Sequence, residues 1–111
     1  MTVYVDNMRA KFGRMVMCHM AADTLDELLA MADRIGVARK WLQQPPKASW
    51  VHFDIALSMR AKAVAAGAVE ITAREMAAWE WHRRVFKFTL PPSEAYFKRK
   101  QLIAERSCEA I

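Results

Sequence analysis

Glycine is scarce in this chain, three residues in 111, and Gly13, Gly36 and Gly67 each stand alone. That excludes the glycine-rich loops that cradle nucleotide phosphates, since neither GxGxxG nor GxxxxGKS/T occurs. Cysteine is scarcer still: Cys18 lies in an apolar run and Cys108 near the C-terminal end. There is no CxxC pair, no HExxH helix and no disulfide framework. With no secretory signal in view, both thiols are expected free in a reducing cytoplasm. No apolar run reaches the roughly twenty residues of a membrane span, so no membrane partner is expected. An excess of one charge is also missing from most of the chain. The net charge of +5 is concentrated in residues 82–100, where Arg83, Arg84, Lys87, Lys98, Arg99 and Lys100 face only Glu94, leaving eleven basic and eleven acidic residues elsewhere.

What is present is an ordinary globular composition, 54% hydrophobic and 26% charged. A chain of this length buries one core without disulfide or metal staples. Eight methionines and many alanines favour helices and an adaptable interior. Trp41, Trp50, Trp79 and Trp81 are more tryptophan than a small body readily hides, which leaves a homodimer interface as one place for them.

The periodicity predicts short strands at residues 2–5 and 15–20, separated by a polar connection over 8–14. Thr24 with Glu27 three residues on is a capping box, and Leu25, Leu28, Leu29, Ala32 and Ile35 follow at helical spacing to Gly36. A third strand is predicted at Trp50–Phe53, closed by Asp54 as the cap of a second helix, with a fourth at Ala68–Ile71. Thr72 and Glu75 open a helix over about 73–84, after which Phe86, Phe88 and Leu90 alternate like a strand and Pro91-Pro92 breaks it. The expected fold class is α/β: a small sheet of about four strands with parallel pairs, helices packed on its faces, and a C-terminal helix. The double prolines are the internal punctuation, so 1–90 reads as the domain and 91–111 as an appended basic helix.

Two constellations carry chemistry. The first is polar residues at expected strand ends: Asp6, His19, Asp23, His52 and Asp54, with Arg60 shortly beyond. If those ends share an edge, His19, Asp23, His52 and Asp54 are candidate ligands for a divalent metal, and Arg60 can hold a phosphate. The plainer reading is that aspartates end strands and cap helices and that a histidine is a hydrogen-bonded core residue. Cys18 and His19, adjacent on a strand, point to opposite faces and make no nucleophile–base pair. The second constellation is the basic segment, interleaved with Trp79, Trp81, His82, Phe86, Phe88, Tyr96 and Phe97. Cations among aromatics suit nucleic-acid phosphates and bases, and equally an acidic protein surface or a merely solvated helix face.

Several segments together carry a family resemblance: Val3-Tyr4-Val5-Asp6, His19-x-x-x-Asp23-Thr24, Asp26-Glu27-Leu28, Met31 to Gly36, Trp41, His52-Phe53-Asp54-Ile55, and Arg60-Ala61 through Gly67-Ala68. The chain over roughly residues 2–77 resembles the domain-of-unknown-function family numbered 4031, small proteins of bacteria and their phages. The resemblance implies a compact single domain, phage- or prophage-borne, and no activity. Phe53 stands where the family usually has tyrosine, and the basic tail from about Arg83 lies outside the resemblance.

The leading expectation is therefore an accessory protein that binds nucleic acid through Arg83, Arg84, Lys87, Lys98, Arg99 and Lys100, with no cofactor. The alternative is a metal-assisted hydrolase or phosphoesterase on the His/Asp set. A third is an inhibitor of a host protein through the same basic surface.

Overall fold

One long strand organises the sheet. The structure, a computed structural model, describes residues 2–109, with side chains to Arg106, so the side chain of Cys108 lies outside the described residues. The strands are β1 (Val3–Val5), β2 (Ala10–Phe12), β3 (Met15–Ala22), β4 (Phe53–Ala56) and β5 (Val69–Glu70), and the helices are α1 (Leu25–Ile35), α2 (Leu57–Ala65), α3 (Ala73–Phe86) and α4 (Pro92–Glu109). Contacts divide the chain into two compact units, Met1–Thr72 and Ala73–Ile111. The first holds the whole sheet; the second holds α3 and α4, and Pro91-Pro92 falls inside it. Among the described residues no helix is long and apolar enough to cross a membrane.

The expected α/β class is observed as a five-stranded sheet in which β3 pairs antiparallel with β1, β2 and β4, and β1 pairs parallel with β5. The residues expected to form a plain connection instead make β2, which folds back on β3 through the turn at Gly13, a residue held at a positive φ. Alternation then sorts the side chains. Val5 of β1, Cys18, Met20 and Ala22 of β3, and Phe53 and Ile55 of β4 face the core, where Leu28, Met31, Ala32 and Ile35 of α1 and Ala63 of α2 meet them. Complete burial of Phe53, Met20, Leu28 and Ile55 contributes about 1.5–3 kcal/mol for each large apolar side chain.

The Thr24 half of the capping box at α1 forms, Thr24 Oγ1 accepting from the Glu27 N–H at 3.3 Å, while the Glu27 carboxylate accepts from the Thr24 hydroxyl at 3.0 Å. At the other end Gly36 takes a left-handed conformation and Val37 N–H donates to Ala32 at 2.8 Å, closing the helix in a Schellman turn.

Two expected elements differ. The strand expected at 50–53 is β4, Phe53–Ala56, so Asp54 lies within the strand and does not cap α2; the N-cap is Ala56, without a side-chain bond. The reason is that the buried alternation of Phe53 and Ile55 runs through Asp54, whose side chain turns to the other face. The strand expected at 86–90 is absent. With no breaker at Val85 or Phe86, α3 runs to Phe86, Lys87 takes a left-handed φ of 66° and bonds back to the Arg83 carbonyl, and the chain stays irregular to α4.

Candidate metal centre

The face of the sheet away from α1 and α2 gathers the polar residues. Val5 pairs with Met20 and His19 with Asp54, so Asp6, His19 and Asp54 stand side by side on neighbouring chain segments, and His52 precedes Asp54 by two residues on the same face. Antiparallel register, not the shared ends of parallel strands, brings them together. The Asp6 N–H donates to the His19 carbonyl at 3.1 Å and extends the β1–β3 ladder by one rung.

Asp6 is completely buried and fully used. Its Oδ1 accepts from the backbone N–H groups of His19 (2.9 Å) and Met8 (3.2 Å), and its Oδ2 lies 2.7 Å from His19 Nδ1. His52 is held as firmly. Its backbone makes a two-way bridge with Gln43, both bonds 2.9 Å, and its Nδ1 lies 3.1 Å from the Trp50 carbonyl. Trp50 also stacks on the His52 ring at 4.1 Å between centroids and meets His19 edge-on at 5.3 Å. Burial holds the His52 pKa below its ordinary value, against the raising effects of the Trp50 carbonyl and the Asp54 charge.

These bonds determine which nitrogen is bare. A carboxylate and a carbonyl only accept, so Nδ1 of each ring carries a proton, which in the neutral imidazole leaves Nε2 of each with a lone pair. His52 Nε2 lies 3.4 Å and His19 Nε2 3.9 Å from the same oxygen, Asp54 Oδ1. One ligand atom from each of the three residues falls within a mutual separation of 4.8 Å. Tetrahedral coordination at about 2.0–2.1 Å places ligands about 3.3 Å apart, so this set is near the spacing of a shared divalent ion.

Two expected members stand elsewhere. Asp23 joins the far end of the β1–β3 pair, where its Oδ2 accepts from the Thr2 N–H at 3.0 Å and its Oδ1 is buried without a hydrogen-bond partner among the described residues. Arg60 ties β1 to β5, donating to the Asp6 carbonyl at 2.9 Å and to the Glu70 carboxylate at 2.8 Å. Cys18 faces the core, where burial, with the Asp6 charge adding, pushes its thiol up to about 11. Trp50 and Gln43 were not singled out as site residues by sequence reasoning; the adjacency of Trp50 to His52 was the available signal.

The six basic residues all belong to the second unit. Arg83 lies over Trp79 (4.4 Å to the ring centroid), Lys98 over Phe86 (3.9 Å), Arg99 over Trp81 (5.6 Å) and Lys100 over Tyr96 (5.4 Å). Arg84 pairs with Glu80 at 3.2 Å, and Lys87 is exposed in the turn after α3. His82, completely buried, sets its Nδ1 3.1 Å from the Phe88 carbonyl, which shows where that carbonyl's bonding goes in place of a strand ladder.

No curated protein and no solved structure matches the chain. The family described as protein of unknown function (DUF4031) matches residues 3–85, beyond the expected limit of 77 and as far as Arg83 and Arg84. The match covers well over half of the chain and includes Asp6, His19, His52 and Asp54, and the protein belongs to that family.

Proposed function

We propose that the protein is a divalent-metal hydrolase whose ligands are His19 Nε2, His52 Nε2 and Asp54. The observation that carries this reading is the convergence of His19 Nε2 and His52 Nε2, the nitrogens left bare when each neutral ring is protonated at Nδ1, on one carboxylate oxygen at 3.9 and 3.4 Å. Such an arrangement repels itself unless a cation or a proton sits between, and burial of His52 opposes the proton. Two histidines and one carboxylate are the donor set of catalytic sites, which keep a position open for water. A divalent ion held by His19, His52 and Asp54 would supply the activation of water to a nucleophile near neutral pH. Asp6 acts through His19 by fixing its tautomer and ring orientation. Arg60 donates to the Asp6 carbonyl and the Glu70 carboxylate, and this reading gives it no metal ligand's part.

The test is calorimetric titration of chelator-stripped protein with Zn²⁺, Mn²⁺ and Fe²⁺, since the same triad accepts ferrous iron. One equivalent of one of these ions should bind, and His19→Ala with His52→Ala should abolish it. Absence of binding by all three ions ends this reading.

A second reading concerns the other unit. Its two helices hold five of the six clustered cations and the turn after α3 holds Lys87; four of the six are laid over aromatic rings, which favours nucleic-acid contact through phosphate charge rather than through base stacking on those rings. Affinity for labelled DNA or RNA should then fall steeply with salt. An unchanged salt slope in K98A/R99A/K100A would dismiss the nucleic-acid reading, and capture of an acidic protein from nuclease-treated lysate would replace it.

A further inference from the structure

The face that carries the centre continues past it toward the β2–β3 turn. Two residues back from His19 on β3, Met17 pairs with Ala56 of β4 on one side and Ala10 of β2 on the other; two further back, Met15 pairs with Phe12. Residues directly opposite in an antiparallel pair share a face, so Ala10, Phe12, Met15, Met17 and Ala56 lie on the same side as His19 and Asp54. At about 3.3 Å per residue the strip runs about 13 Å from His19 to Met15. It is open: Phe12 is 70% and Met15 47% exposed, and Met17 and Ala56 are half-buried. No charged side chain stands on these paired rows between Asp54 and the turn, because Lys11 pairs with Val16 on the opposite face.

We propose that the substrate of the centre is an ester or amide carrying an unbranched apolar chain, which lies along Met17, Met15 and Phe12 while its carbonyl sits at His19, His52 and Asp54. This rests on the metal-centre reading. A phosphodiester would find no cation on these paired rows, whereas an acyl chain finds continuous apolar surface that begins beside the ligands. Continuity with the centre is what selects a substrate chain as the occupant over a second protein surface. Hydrolysis adds one water across the bond: its oxygen and one hydrogen stay with the acyl carbon, and the other hydrogen leaves with the alcohol or amine. Trp50, stacked on His52, walls the opposite end of the centre, so the chain has one direction in which to lie.

The probe is a series of straight-chain alkanohydroxamic acids of increasing length, titrated into Co²⁺-loaded protein. The visible cobalt spectrum reports the head group and calorimetry reports the chain. Affinity should rise by about fourfold per methylene, as apolar burial predicts, and level off near the reach of the strip. Phe12→Ser and Met15→Ser, at exposed positions, should flatten that rise while leaving the cobalt spectrum and the melting temperature unchanged. A calorimetric affinity that is the same for every chain length, with the cobalt spectrum still shifting, overturns the substrate assignment and leaves the centre standing. No cobalt spectrum at all overturns the centre, and this assignment with it. A stable dimer that dissociates in the Phe12→Ser variant, with no dependence on chain length, would show that a second copy covers the strip and overturn the assignment.

Discussion

Asp6 grips His19 at two points, accepting the backbone N–H on one carboxylate oxygen and facing the ring Nδ1 with the other at 2.7 Å. The side chain that fixes the strand pairing at this rung thus also fixes the imidazole. Asp6→Asn keeps the size and the backbone bond but turns an amide toward Nδ1 or loses the charge there. Zn²⁺ affinity should fall about 10–100-fold, the usual cost of removing an outer-shell partner of a ligating histidine. Competition calorimetry against a chelator measures it, and unchanged affinity would deny Asp6 this role.

The metal-free protein should lose stability in mild acid through His52. Its folded pKa lies below the ordinary 6.5, chiefly through burial. The unfolded chain therefore takes up a proton that the folded one refuses, and stability falls as pH drops from 6.5 to the lower folded value, with no contribution from this group above 6.5. Urea unfolding of chelator-treated protein between pH 5 and 8 tests this; the decline should be smaller in His52→Gln, and an equal decline in both would contradict it.

Cys18 should be inert in the folded state. A thiol pushed up to about 11 is almost wholly protonated at pH 8, and the residue is completely buried. In a Cys108→Ser background, Ellman's reagent should label Cys18 only as fast as the protein unfolds, so added denaturant should accelerate labelling. Rapid labelling of native protein would be the opposite result.

Thr24→Ala removes both bonds that Thr24 makes at the cap on α1. The expected loss is about 1 kcal/mol, with the urea midpoint lowered and its slope unchanged. Thr24→Ser should recover most of it.

How much of this was legible depended on range. The start and end of α1 were readable because Thr24, Glu27 and Gly36 act within one or two turns of chain. Asp6, His19, His52 and Asp54 could be picked out as polar residues interrupting apolar runs, and they do meet. What joins them is the pairing of β3 with both β1 and β4, a register set across up to 39 residues of chain that no local pattern encodes. The same limit explains Asp23 and Arg60, which share the motif but reach different partners. Phe86 and Phe88 misled for a local reason: an alternation of three residues also fits the end of a helix and the irregular chain after it.

The sheet assigns its two tasks by parity. Along β3, positions 18, 20 and 22 serve the interior, while 17 and 19 serve the outer face. A point substitution of His19 therefore changes the outer polar cluster without opening a hole in the interior, and a relative can alter that cluster and keep the fold. A single-residue deletion within β3 upstream of His19 does the reverse, turning the imidazole inward and Cys18 outward in one event. Evolution can edit this site letter by letter but cannot shift its reading frame.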